Sequence, residues 1–144
     1  MDKEKKESII TTLIKQHRGL QKDLGGVAEI LKSEKIDSKE IVKGFKKFEK
    51  DLFEHLELEN DVFYVNLLRD MKKKDQSTEK TEQFIEEMKD IEKVVVAFLE
   101  KYKKEADVSD NLKEFKKEFA GIVETLNLRV EAEEAGVYGY WGLF

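Results

Sequence analysis

The chain has 144 residues, 41% of them charged, a formal net charge of -5, and neither Cys nor Pro. The length suits one domain over residues 1–144, with a core that needs no covalent staples. The missing Cys excludes disulfides, thiolate metal sites and Cys nucleophiles, and the interspersed charges form no basic nucleic-acid stripe, since acids flank even the run Lys43, Lys46, Lys47 and Lys50.

No apolar signal segment follows Met1-Asp2-Lys3-Glu4, and no stretch reaches the ~18 apolar residues of a membrane span. The expected location is therefore the cytoplasm. The first predicted helix runs from about Lys5 to Ser33. Ile10, Leu13, His17, Leu20, Leu24, Val27 and Leu31 recur on one face of it, in alternating steps of three and four. Gly25-Gly26 is expected to weaken this helix, as a point of close helix packing or as a kink.

The second helix is predicted after Asp37-Ser38, with Asp37 and Glu40 at capping-box spacing, and it runs to about Lys73. Its stripe is Ile41, Phe45, Phe48, Leu52, His55, Glu59 and Val62. Ser77 or Thr78 is the expected cap of the third helix, with stripe Phe84, Met88, Ile91, Val95, Phe98 and Tyr102. Lys101, Lys103 and Lys104 suit the negative end of its dipole. Asp107 to Asp110 reads as a turn and cap. The fourth helix carries Leu112, Phe115, Phe119, Ile122, Leu126, Arg129, Glu133 and Val137, and is expected to fray into Gly136, Gly139 and Gly142. Four such patterns with short connections predict an all-α, up-down-up-down antiparallel four-helix bundle. Regular turn signals disfavour a coiled-coil dimer, and the repeats are too sparse for a solenoid.

Polar residues interrupt the stripes at one height. His17 lies 20 residues before the turn residue Asp37 and His55 lies 18 after it, so at ~1.5 Å rise per residue they stand within about one turn of each other. Around Asp107, Met88 and Arg129 are placed in the same way. Glu59 follows His55 by four residues, and Glu133 follows Arg129 by four. The segments from His55 to Tyr64 and from Arg129 to Tyr138 align at a separation of 74 residues, which makes the chain a near-repeat of two helix pairs. Buried imidazole and carboxylate need partners, so this layer is the candidate functional site.

At these residues the chain resembles the hemerythrin-like family of HHE cation-binding domains. The segment Leu52-Phe-Glu-His-Leu-Glu-Leu-Glu59 and the helix lengths carry most of the resemblance, which extends from about Lys5 to Tyr138. It implies a hemerythrin-like bundle with a dinuclear iron site that binds or senses oxygen. By the same carry-over His17, His55, Glu59 and Glu133 take ligand roles. Met88 and Arg129 stand where two further histidines are expected, and Arg is a permanent cation rather than a metal ligand. The expected centre is therefore reduced to at most one ion. Two imidazoles with carboxylates suit iron, zinc or manganese.

A metal-free layer is the alternative, with Arg129 pairing Glu59 and Glu133 in place of the metal charge. Dioxygen or another small ligand is the expected partner of a bound metal, with no nucleic acid and no membrane. The aromatic C-terminus from Tyr138 to Phe144 is read as a cap on the bundle or as a homodimer surface. Met88 is expected as core filler, and Tyr64, Tyr102 and Tyr138 as packing at the bundle ends. The serines read as caps or surface residues, and there is no Gly-rich phosphate loop. Ile14 and Leu52 stand three before the two histidines, so the Glu-x-x-His pairs of ferritin-like diiron oxidases are missing. A binding role is expected ahead of an enzymatic one.

Overall fold

Four long helical rods follow the four apolar stripes and pack antiparallel. The computed structural model describes residues 1–141, so Gly142 and Phe144 of the expected C-terminal cap lie outside the described residues. Helix α1 spans Lys3–Lys32, and the Asp2 carboxylate caps it by accepting from the Lys5 N–H at 2.8 Å. Helix α2 spans Ser38–Leu58. Asp37 caps it as its sequence position predicts, accepting from the Lys39 and Glu40 N–H groups at 3.0 and 3.3 Å. Such a cap contributes about 1 kcal/mol.

The second rod is not one α-helix. A π-helical turn, Glu59–Phe63, separates α2 from α3, Tyr64–Lys73. The third rod is α4, Glu79–Lys101. A short helix α5, Glu105–Ser109, occupies the connection read from sequence as a plain turn, because Asp107 accepts from the Lys104 N–H at 3.0 Å and starts a helical turn there. The fourth rod is α6, Leu112–Ala132, then a second π turn, Glu133–Val137, then α7, Tyr138–Trp141. The predicted fraying at Gly136 and Gly139 does not occur: the backbone stays helical because Tyr138 and Trp141 are buried and anchor it.

Close helix packing at Gly25-Gly26 is not what the structure shows. Helix α1 continues through both, and a Cβ at either would meet nothing within 4 Å among the described residues. The close approach of α1 and α2 lies instead at Gly44, where a Cβ would stand 3.0 Å from Val27 Cγ2.

Two apolar clusters fill the bundle. One, around Leu24, Phe45, Phe48, Phe98, Phe115 and Phe119, lies toward the α1–α2 turn. The other, around Leu13, Phe63, Leu67, Met71, Ile85 and Trp141, lies toward the chain termini. Each buried large apolar side chain contributes roughly 1.5–3 kcal/mol, so together they hold the polar residues between them in fixed rotamers. Tyr102 packs in the first cluster, against Phe98 and Phe115. Among the described residues no helix is long and apolar enough to cross a membrane.

Candidate metal centre

Between the two clusters lie His17, His55, Glu59, Arg129 and Glu133, all buried. His17 comes from α1 and His55 from α2. Each glutamate is the first residue of a π turn. In those turns the Tyr64 N–H bonds to the Glu59 carbonyl and the Tyr138 N–H to the Glu133 carbonyl, one residue further back than in an α-helix. The extra residue rotates the following stripe by about 100°. Phe63 and Tyr64 then face inward where an uninterrupted α-helix would have placed Val62, which is only half-buried.

One donor atom from each of His17, His55, Glu59 and Glu133 lies within 4.8 Å of every other. His17 Nε2 faces Glu133 Oε1 at 3.1 Å, and His55 Nε2 faces Glu59 Oε2 at 3.3 Å. The outer ring nitrogens are held from behind: His17 Nδ1 lies 2.7 Å from Glu134 Oε2, and His55 Nδ1 lies 2.8 Å from Gln16 Oε1. Such outer partners fix imidazole orientation and tautomer in metal sites. With its Nδ1 proton donated to Gln16, His55 presents an Nε2 lone pair to the cluster. That nitrogen is buried and has no hydrogen-bond partner among the described residues. His17 has carboxylate oxygens at both ring nitrogens, and the Tyr138 hydroxyl also lies 3.1 Å from Nε2.

Arg129 spans the two carboxylates. Its Nη2 donates to Glu59 Oε1, its Nε to Glu133 Oε1 at 3.3 Å, and its Nη2 also to Glu92 Oε1 at 3.4 Å. Glu92 accepts a further bond from Asn60 at 3.2 Å. Arg18 pairs with Glu134 at the surface side. The two tyrosines cross over: Tyr64 donates to Glu133 Oε2 at 2.7 Å and Tyr138 donates to Glu59 Oε2 at 2.5 Å. Their expected place at the bundle ends is thus corrected, because the π turns swing both hydroxyls into the layer.

Four carboxylates, Glu59, Glu92, Glu133 and Glu134, meet two guanidiniums here, which leaves two negative charges when both histidines are neutral. Proton affinities reflect that excess. Burial pushes the Glu133 carboxyl up, and the Glu59 charge beside it adds to this. Burial acts the same way on Glu59, but the neighbouring His55 ring and the Arg129 charge outweigh it and hold Glu59 below the usual carboxylate range. Burial opposes a charge on His17, yet the Glu133 and Glu134 carboxylates outweigh it and raise its pKa. Burial and the two glutamates push both phenols up. A cation placed among these atoms would satisfy the same excess, in competition with protons.

The hemerythrin HHE cation binding domain matches residues 8–141. The chain belongs to that family. No curated protein and no solved structure matches it. In this HHE domain the sequence brings together all four of its predicted donors and the predicted cation. Met88 is buried and belongs to neither apolar cluster. The α4 residue that bonds into the layer is Glu92, which sequence reasoning passed over. Its signal was present, since Glu92 follows Met88 by four as Glu59 follows His55. Tyr64 and Tyr138 were equally visible as aligned residues of the repeat. Gln16 and Glu134, each adjacent to a stripe residue, carried no such signal.

Proposed function

We propose that this HHE domain binds one divalent metal ion, iron first and zinc or manganese as alternatives, through His17, His55, Glu59 and Glu133. The single observation that carries this reading is the buried His55 Nε2, which among the described residues lacks a hydrogen-bond partner yet faces a carboxylate oxygen inside a four-residue donor cluster. The residues suit one ion and not two. Arg129 already bonds one oxygen of each glutamate, and a guanidinium offers no ligand. Bound iron would supply open positions for dioxygen or another small ligand, which makes binding or sensing the role. The chain's own residues orient the imidazoles through Gln16 and Glu134 and exclude water with the apolar clusters on either side. Anaerobic loading with ferrous ion, desalting and elemental analysis is the test. We expect close to one ion per chain in the wild type and a loss in His55→Ala; a wild type that retains no more metal than His55→Ala overturns the reading.

A second reading has its own observation. Arg129 bonds both Glu59 and Glu133, as a surrogate cation in a metal-free interaction or structural module would. That module predicts no metal uptake at all and a thermal midpoint unchanged by added metal ions. One ion per chain with a raised midpoint decides against it.

A further inference from the structure

The four candidate ligands do not exhaust the polar atoms of the layer. Tyr138 Oη lies 2.5 Å from Glu59 Oε2 and 3.1 Å from His17 Nε2, so it touches two of them from different rods. The donors then form a continuous arc: Glu133 Oε1 to His17 Nε2 at 3.1 Å, His17 Nε2 to Tyr138 Oη at 3.1 Å, Tyr138 Oη to Glu59 Oε2 at 2.5 Å, and Glu59 Oε2 to His55 Nε2 at 3.3 Å. Neighbouring donors that share one ion at about 2.1 Å, at right angles, stand roughly 3.0 Å apart. The arc has that spacing with the phenol oxygen included, and the phenol fills the gap between His17 and Glu59.

We propose that Tyr138 is a fifth ligand of this centre, binding the ion through its phenolate oxygen. The inference rests on the one-ion reading above. On coordination the phenol O–H bond breaks, the proton is released to solvent, and the oxygen lone pair goes to the metal; no electron changes hands. A bound cation drives such deprotonation of a coordinating group. The ring is already held for the task. It stacks on His17 at 5.4 Å between centroids and packs edge-on against Phe63 at 5.0 Å. The π turn that precedes it sets its direction. Tyr64 is a built-in control. It is the repeat partner of Tyr138, yet it bonds Glu133 Oε2, the oxygen that does not face His17.

Ferric ion itself is the probe, because a phenolate bound to ferric iron gives a visible charge-transfer band. We expect the band in the loaded wild type and in Tyr64→Phe, and its loss in Tyr138→Phe at comparable iron content by elemental analysis. Resonance Raman on Tyr64→Phe, grown with ring-deuterated tyrosine, supplies a second readout that holds even where Tyr138→Phe fails to fold. Tyrosinate ring modes that shift on deuteration support Tyr138, because Tyr102 lies in the distant cluster and Tyr140 is at the surface. Iron uptake with no such band or modes overturns the phenolate assignment alone, as does a band that persists undiminished in Tyr138→Phe. No uptake by the wild type overturns the one-ion reading and this assignment together.

Discussion

The two helix pairs of the bundle share a backbone device and differ in the chemistry placed one turn before it. In the first pair His55 precedes the π turn that opens on Glu59; in the second Arg129 precedes the π turn that opens on Glu133. Each turn ends before a tyrosine whose hydroxyl crosses to the other pair's glutamate. The backbone is therefore the same whether imidazole or guanidinium comes before it. The turn serves its own carboxylate and tyrosine, and the residue one turn earlier decides whether that pair brings a ring nitrogen or a guanidinium to the layer. In the first pair the oxygen of Glu59 faces an open nitrogen lone pair. In the second pair a covalently attached cation is already in place.

Removing a carboxylate is the strongest way to break this comparison. Glu59→Ala removes one buried charge partner of Arg129 and leaves it Glu133 and Glu92, so the loss should fall below the about 3–5 kcal/mol of a fully stranded buried charge. We expect urea unfolding of the metal-free protein to show that loss, and a smaller one for Glu133→Ala. Glu59 is the carboxylate held ionised, whereas the Glu133 pKa is raised. Equal losses would make the two halves energetically equivalent and remove the asymmetry.

Restoring donors to the second pair should sharpen it. Arg129→His with Met88→His is expected to raise metal uptake above the wild-type stoichiometry, by elemental analysis. An unchanged stoichiometry would place the counterpart of His17 elsewhere on α4, with Ile91, 74 residues on, as the next position to convert.

The smallest expected effect concerns how the second pair is tied to the first. Lys6 pairs with Asp70 at 2.8 Å, and the Trp141 indole N–H donates to the same carboxylate at 3.0 Å, which pins α7 to α3 and α1. Burial alone would push the Asp70 carboxyl up, but the Lys6 and Trp141 bonds outweigh it and its pKa falls below the usual value. A carboxyl depressed on folding stabilises above its unfolded pKa and loses that contribution as pH drops through the folded one. Stability should therefore decline on the acid side of pH 4, with the decline flattened in Asp70→Asn, by thermal melts across pH.

Much of the fold was legible because burial writes itself into spacing. Leu13, His17, Leu20 and Leu24 share one helix face whatever they pack against, and Asp37 caps α2 through bonds to its own neighbours. The layer was legible for the same reason, since helix rise fixes height and brought His17, His55, Arg129 and their glutamates level. Glycine spacing misled, because Gly25-Gly26 describes what the chain tolerates and not where another helix lies; only packing put the close contact at Gly44. The sequence by itself determined four amphipathic helices, their order, the level of the polar layer and the repeat that relates its halves. The tertiary structure alone decided that the π turns open on the two glutamates, that two tyrosines cross between the halves, and that Gln16 and Glu134 complete the layer from outside the stripes. Those choices depend on contacts between residues far apart in sequence: the constant steps of four through His55, Glu59, Phe63, Leu67 and Met71 mark a register shift, but where it falls is set by the burial of Phe63 and Tyr64 against the other rods.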